Sequence, residues 1–128
     1  MAVQYSIHQG VITMEFVGIY EPREVIAQFL DALSDPACPT SAALLIDVSR
    51  SESLATRPAA DIRMVVEFLG PYAERIGGRC AVVAPTDAHF DQSQLGALRS
   101  QALGIPAQVF RTTEEALKWL AHTSVRQA

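Results

Sequence analysis

Two short apolar runs constrain this chain more than any other feature: Ala42-Ala43-Leu44-Leu45-Ile46 and Cys80-Ala81-Val82-Val83-Ala84. Five apolar residues without a polar break are too few for an ordinary helix. They suit a strand covered on both faces. The stretch between the runs carries Ile62, Val65, Val66 and Leu69, spaced for one face of a helix, with Gly70-Pro71 near its end. Strand, helix and strand in that order make a right-handed crossover between parallel neighbours.

The flanking sequence extends the same grammar. Val3, Tyr5 and Ile7 alternate, His8-Gln9-Gly10 interrupts, and Ile12, Met14 and Phe16 alternate again, which predicts an antiparallel hairpin closed by Gly18. Pro22 suits a first helical position, and Val25, Ile26, Phe29, Leu30 and Leu33 follow on one broad face until Ser34-Asp35-Pro36. A third strand covers Ala42–Val48, and a ten-residue serine-rich break, Val48–Arg57, leads to a second helix opening at Pro58. Thr86 and Asp87 cap a third helix with Phe90, Leu95, Leu98 and Ala102 as its apolar set. Pro106–Phe110 is a last strand, and Thr112-x-x-Glu115 is a capping box for a last helix. Ala116, Leu117 and Leu120 of that helix face inward, and the chain frays from His122 to Ala128. The order β-β-α-β-α-β-α-β-α gives an α/β fold: a mixed, mainly parallel five-stranded sheet with helices packed against it.

Length and charge narrow the function classes. A chain of 128 residues forms one domain, residues 1–128, and no interior linker divides it. A net charge of -4 with a single lysine, Lys118, leaves no basic patch for nucleic acid or for an anionic membrane. The five-residue apolar runs fall far short of a transmembrane segment, and no secretory signal opens the chain. Cys38 and Cys80 match no metal spacing and are too few for a disulfide scaffold. These features describe a soluble cytoplasmic domain.

Several motifs together resemble the STAS superfamily of sulfate-transporter and anti-sigma-factor-antagonist domains, and within it the SpoIIAA-like branch of small bacterial proteins. They are Gly10-Val11-Ile12 with Gly18, Leu44-Leu45-Ile46-Asp47, Arg79-Cys80-Ala81-Val82-Val83, and Val109-Phe110-Arg111-Thr112 with Ala116-Leu117-Lys118-Trp119-Leu120. The resemblance spans nearly the whole chain. It implies a regulatory or protein-interaction module rather than an enzyme. It also implies a second reading through the similar CRAL-TRIO fold, that of a carrier or sensor of an apolar small molecule or lipid. Superfamily members that antagonise anti-sigma factors carry a phosphorylated serine in an Asp-Ser-Ser-Gly-like pattern at the start of the second helix. Here Asp47-Val48-Ser49 runs into Arg50-Ser51-Glu52-Ser53-Leu54-Ala55-Thr56-Arg57-Pro58, with no Ser-Gly pair, so the phosphoswitch carries over to no residue.

The candidate site residues fall in two groups. Asp47, Ser49, Ser51, Ser53 and Thr56 occupy the break after the third strand, where open α/β sheets bind ligands and partners. Asp47 either anchors a ligand or accepts backbone N–H groups of the following turn. The hydroxyls either bind an anion, with Arg50 or Arg57 as its counter-charge, or serve as ordinary loop and cap groups. Met64, Phe68 and Tyr72 recur every four residues on the second helix, beside its main apolar face. They are core, a partner surface, a homodimer contact or a lipid pocket.

Asp87, His89 and Asp91 form a D-x-H-x-D cluster at a helix start, where it suits the dipole better than a metal. Cys38 has no recognisable positive neighbour, so an inert loop thiol is expected, with Cys80 in the core. Trp119 is expected to seal the last helix. No nucleophile elbow, Cys–His signature, metal triad or phosphate loop occurs, so no catalytic residue, cofactor or metal ligand is assigned. The expected contact surface is the loop after the third strand together with the second helix. It faces a protein partner or, in the second reading, an apolar molecule held between the sheet and the second or third helix.

Overall fold

The computed structural model describes residues 2–56, 58–76 and 79–127, Ala55 and the last six of these through their backbone only. Strands β1 (Val3–His8), β2 (Val11–Gly18), β3 (Ala43–Ser51), β4 (Cys80–Val83) and β5 (Ala107–Phe110) alternate with helices after the opening hairpin. The helices are α1 (Pro22–Ser34), α2 (Ala59–Leu69), α3 (Asp87–Ala102) and α4 (Thr113–Gln127). The sheet follows chain order, β1-β2-β3-β4-β5, with β1 antiparallel to β2 and every other pair parallel. The expected mixed sheet is present, and β3 is its central strand.

Local chemistry explains the joints. The hairpin turns on Gln9 and Gly10, both at positive φ, with His8 and Val11 paired across it. Two consecutive positive φ values are the mark of the turn type whose twist matches the flanking strands. Glu21 precedes Pro22 at the start of α1 and donates its backbone N–H to Glu24 Oε1 at 2.9 Å. Thr86 Oγ1 accepts the His89 N–H at the start of α3, and Gly104, at φ +87°, turns the chain out of it. Thr112 Oγ1 accepts the Glu115 N–H at the start of α4.

The sheet divides the core in two. Ile12, Met14, Phe16, Leu44, Val48 and Cys80 face α1, α2 and α3, and Phe29 and Ala97 reach down from those helices. On the other face Leu45, Ala81 and Val83 pack against Ala116 and Leu120 of α4, with Trp119 and Phe110 in ring contact at its margin. Trp119 therefore closes α4 against the sheet as expected.

Three boundaries and one set of side-chain orientations differ from the sequence expectation. First, β3 continues to Ser51 instead of ending at Val48. Between Glu15/Asp47 and Val17/Arg50 the β2–β3 register slips by one, leaving an extra residue in β3. Strict alternation from Leu44, Ile46 and Val48 would aim Arg50 into the core. The bulge reverses that parity, so Arg50 is exposed and Ser51 is buried. The expected ten-residue break thus shrinks to a few residues around a single 3₁₀ turn, Leu54–Thr56. Second, α2 begins at Ala59, and a 3₁₀ segment, Gly70–Ile76, prolongs it. Third, Leu30 of α1, Leu95, Leu98 and Ala102 of α3 and Leu117 of α4 are exposed, not core. The buried side of α3 is Ser93, Ala97 and Ser100. Fourth, α4 remains helical to Gln127 where a frayed tail was expected. The side chains of 122–127 and all of Ala128 lie outside the described residues.

Small residues on the inner side of α3 have a packing reason. A Cβ built on Gly96 would stand 3.3 Å from Ile62 Cγ2 and 3.5 Å from Val66 Cγ2, so the missing methyl lets α2 and α3 approach closely. With its inner face committed to glycine, alanine and serine, α3 carries its leucines outward.

Candidate interaction surface and apolar cavity

The bend after β3 is assembled from its own polar groups. Asp47 Oδ1 accepts the Ser49 N–H at 2.9 Å, across the bulge. Buried Ser51 turns Oγ toward the Leu54 N–H at 3.1 Å, and Ser53 Oγ accepts the Tyr20 N–H at 3.3 Å. Thr56 Oγ1 donates to Ser53 O at 3.3 Å and does not cap α2, whose N-cap is Pro58. Gln92 Nε2 of α3 reaches over to donate to Leu54 O at 3.0 Å. Leu54 is itself buried in the main core. The exit from β3 is therefore tied down under α3, with Glu52, Thr56 and Pro58 as its outward residues.

The other candidate group separates. Phe68 and Tyr72 turn toward α1, where each meets the buried Phe29 ring edge-on, at 6.0 and 5.6 Å between centroids. The two rings lie 5.3 Å apart. They are a helix-to-helix seam within the chain. Met64, one turn earlier, stays on the solvent side, 49% exposed. One stripe in the sequence thus performs two roles.

Between α2 and α3 the surface opens into a groove of about 370 Å³, lined by Ala59, Ile62 and Arg63 on one side and Leu95, Leu98 and Arg99 on the other. Leu98 is 64% exposed and Leu95 47%. Arg99 is held to Glu67 of α2 by an ion pair at 3.4 Å, which bridges the two helices. Large apolar side chains displayed together beside a concave surface mark contact sites more often than isolated ones do. No earlier signal singled out this groove. The available clue was the second stripe of α3, Ser93, Ala97 and Ser100, whose small residues already filled the inner positions.

Beneath the same two helices, between them and the sheet, lies a partly open cavity of about 90 Å³. Phe16, Ile46 and Val82 form its floor, and Ile62, Val66 and Ala97 help form its roof. Its few polar neighbours are largely engaged, with Ser100 Oγ donating to Ile105 O at 2.8 Å and Gln92 bonded as above.

Most of the remaining singled-out residues have structural company, whereas His89 Nδ1 is buried without a hydrogen-bond partner among the described residues. Asp87 pairs with Arg111 at 2.9 Å, and the Arg111 guanidinium also sits 4.2 Å over the Phe90 ring, pinning the start of α3. Cys38 does have a cation beside it: Arg75 Nη2 lies 3.8 Å from its sulfur while also donating to Leu33 O. Cys80 is fully enclosed, and burial pushes its thiol up to about 12. Among the described residues no cluster of three metal-ligating side chains forms, and no helix is long and apolar enough to cross a membrane.

With central parallel strands, an antiparallel leading edge and helices on both faces, the chain has a SpoIIAA-like, STAS-type α/β fold. One of the solved structures it matches is the crystal structure of an uncharacterised protein of the DUF3478 family, with a SpoIIAA-like fold, from Shewanella loihica PV-4. The two share 16% identity over 93% of this chain and 92% of that one, at a TM-score of 0.59. At that identity the likeness speaks for the fold alone. No family model and no curated protein matches the sequence.

Proposed function

We propose that the chain is a non-enzymatic regulatory or interaction module of the cytoplasm whose contact surface is the outer face of α2 and α3. The observation that carries this reading is the groove between those helices, walled by exposed Leu95 and Leu98, with exposed Met64 next to its Arg63. Burying an exposed leucine in a partner yields on the order of 1.5–3 kcal/mol, and a handful of such anchors dominates most interfaces. The proposed partner is a protein segment that lays apolar side chains between the two helices. The bend after β3 contributes through its outward residues Glu52 and Thr56 and holds α3 in position through the Gln92 contact.

The test is site-specific photo-crosslinking in cells, with a photoreactive residue at position 98 and a control at exposed Leu30 of α1. A discrete covalent adduct at 98, lost when Met64 and Leu95 are changed to glutamate in a folded protein, supports the reading. Equal labelling at both positions, or none at 98, refutes it.

The apolar cavity favours a second reading, a carrier or sensor of a small apolar molecule held between the sheet and α2–α3. At about 90 Å³ it is smaller than the roughly 150 Å³ engineered void that admits benzene. A larger ligand would have to part α2 from α3. Native mass spectrometry of freshly purified protein checks this reading: a co-purifying mass that Ala97→Leu removes supports it, and bare protein from several preparations ends it.

A further inference from the structure

Arg79 stands immediately before β4, on the α4 side of the sheet, with only 4% of its surface exposed. Its Nη1 atom is buried and has no hydrogen-bond partner among the described residues. Guanidinium does not surrender its proton, so burial cannot be relieved by neutralisation. A buried cation is ordinarily matched by a carboxylate or by several carbonyl groups. Among the described residues no counter-charge is paired with it.

Arg79 also lines a recess of about 680 Å³, within the range of small-molecule sites. The recess lies at the amino-terminal ends of the parallel strands, opposite the bend after β3. The hairpin turn His8–Val11, the start of β3 at Ser41–Ala43, and α4 enclose it. Its described lining contains no aspartate or glutamate, although the chain as a whole carries a net charge of -4. Val11, Ala43, Leu117 and Leu120 supply apolar walls, and Thr13 and Ser41 supply hydroxyls.

We propose that this recess binds a small organic carboxylate with an apolar body, the carboxylate pairing with Arg79 and the body lying against α4. A planar fork of N–H groups matches a carboxylate in two-point fashion, and the walls of Val11, Ala43, Leu117 and Leu120 suit an apolar body that inorganic phosphate lacks. The desolvation that lowers the Arg79 pKa from its ordinary value is the same cost that a bound anion removes. This inference is independent of the α2–α3 surface and of the cavity beneath it.

The experiment is isothermal titration of the full chain with octanoate, 1-octanol and inorganic phosphate at low salt, paralleled by thermal unfolding. Saturable octanoate binding that raises the melting temperature, with no comparable effect of octanol or phosphate, is the expected result. Arg79→Met weakens octanoate roughly tenfold or more. Should that variant not fold, Leu117→Glu, at an exposed wall position, brings a competing carboxylate to the recess and has the same effect on binding. Octanol binding as well as octanoate, phosphate binding as well as octanoate, unchanged affinity in both variants, or no saturable octanoate binding each overturns the proposal.

Discussion

Replacing Val82 with isoleucine is expected to stabilise the protein, because Val82 borders the apolar cavity beneath α2 and α3. A closed core void costs about 24 cal/mol per Å³, so the ≈ 90 Å³ of this partly open cavity represents at most about 2 kcal/mol of forgone stability. One added methylene recovers about 0.8 kcal/mol if it enters that space in a relaxed rotamer. Isoleucine keeps the β-branch that β4 favours, so no strand propensity is lost. For a chain of this length the gain corresponds to a rise of roughly 2–4 °C in melting temperature. Val109, on the neighbouring strand and the same face, does not border the cavity, so Val109→Ile is the matched control. It overpacks and should lose about 1–3 kcal/mol. The assay is thermal and urea unfolding of both variants, on protein shown by native mass spectrometry to be ligand-free. If Val82→Ile loses as much as Val109→Ile, the cavity offers no usable room and the reasoning fails. A loss seen only in protein carrying a bound molecule instead identifies that molecule's seat.

Three further outcomes are expected. Phe29→Ala removes a fully buried ring and both of its edge contacts, costing about 3–5 kcal/mol by urea unfolding, and a loss under about 1 kcal/mol contradicts the seam between α1 and α2. A thiol reagent at mildly alkaline pH should label Cys38 in the native protein and Cys80 only on unfolding. Because the Cys80 pKa is raised in the fold, its contribution to stability is present below about 8.5 and drains away as pH climbs toward about 12. The Tyr5 hydroxyl donates to Asp35 Oδ2 at 2.8 Å, and that bond is the main cause raising the tyrosine pKa above 10. Its stabilisation is complete below pH 10 and lost as pH rises beyond it. The Asp35 pKa is lowered first by the Ala37 N–H and second by Tyr5, so its contribution is lost as pH falls below about 3.9 and through that depressed value. Tyr5→Phe should therefore abolish the tyrosine's alkaline loss but only part of the acid one, as read by melting temperature across pH.

The sheet was legible because its signals are local. Continuous apolar runs at Ala42–Ile46 and Cys80–Ala84, and period-two alternation on both sides of Gln9-Gly10, need no tertiary information to be read as strands. The end of β3 was not legible, because a bulge erases the period on which such a reading depends. Ser51 is buried only because an extra residue reverses the parity after Asp47, and a serine-rich sequence gives no sign of that reversal. The α3 leucines misled for a related reason. Hydrophobic periodicity assumes that the large side chains face in, whereas close approach to α2 at Gly96 demanded small ones there. Once Ser93, Ala97 and Ser100 took the inner positions, Leu95 and Leu98 had only the surface left.

The Arg79 site illustrates a further limit of local reading. In the sequence Arg79 stands at the head of an apolar run, where an arginine ordinarily extends past the sheet edge into water. Its meaning depends on three segments far apart in the chain: the hairpin turn, the start of β3 and the middle of α4. Their convergence removes water from the guanidinium, and among the described residues no counter-charge replaces it. Ordinary folding pressure would select against that arrangement, since methionine fills similar volume at no electrostatic cost. Arg79→Met should accordingly raise the melting temperature of ligand-free protein even as it weakens octanoate, because stability withheld at a site is a common signature of function. A fall in melting temperature with octanoate binding intact would mean that Arg79 contributes packing and nothing more.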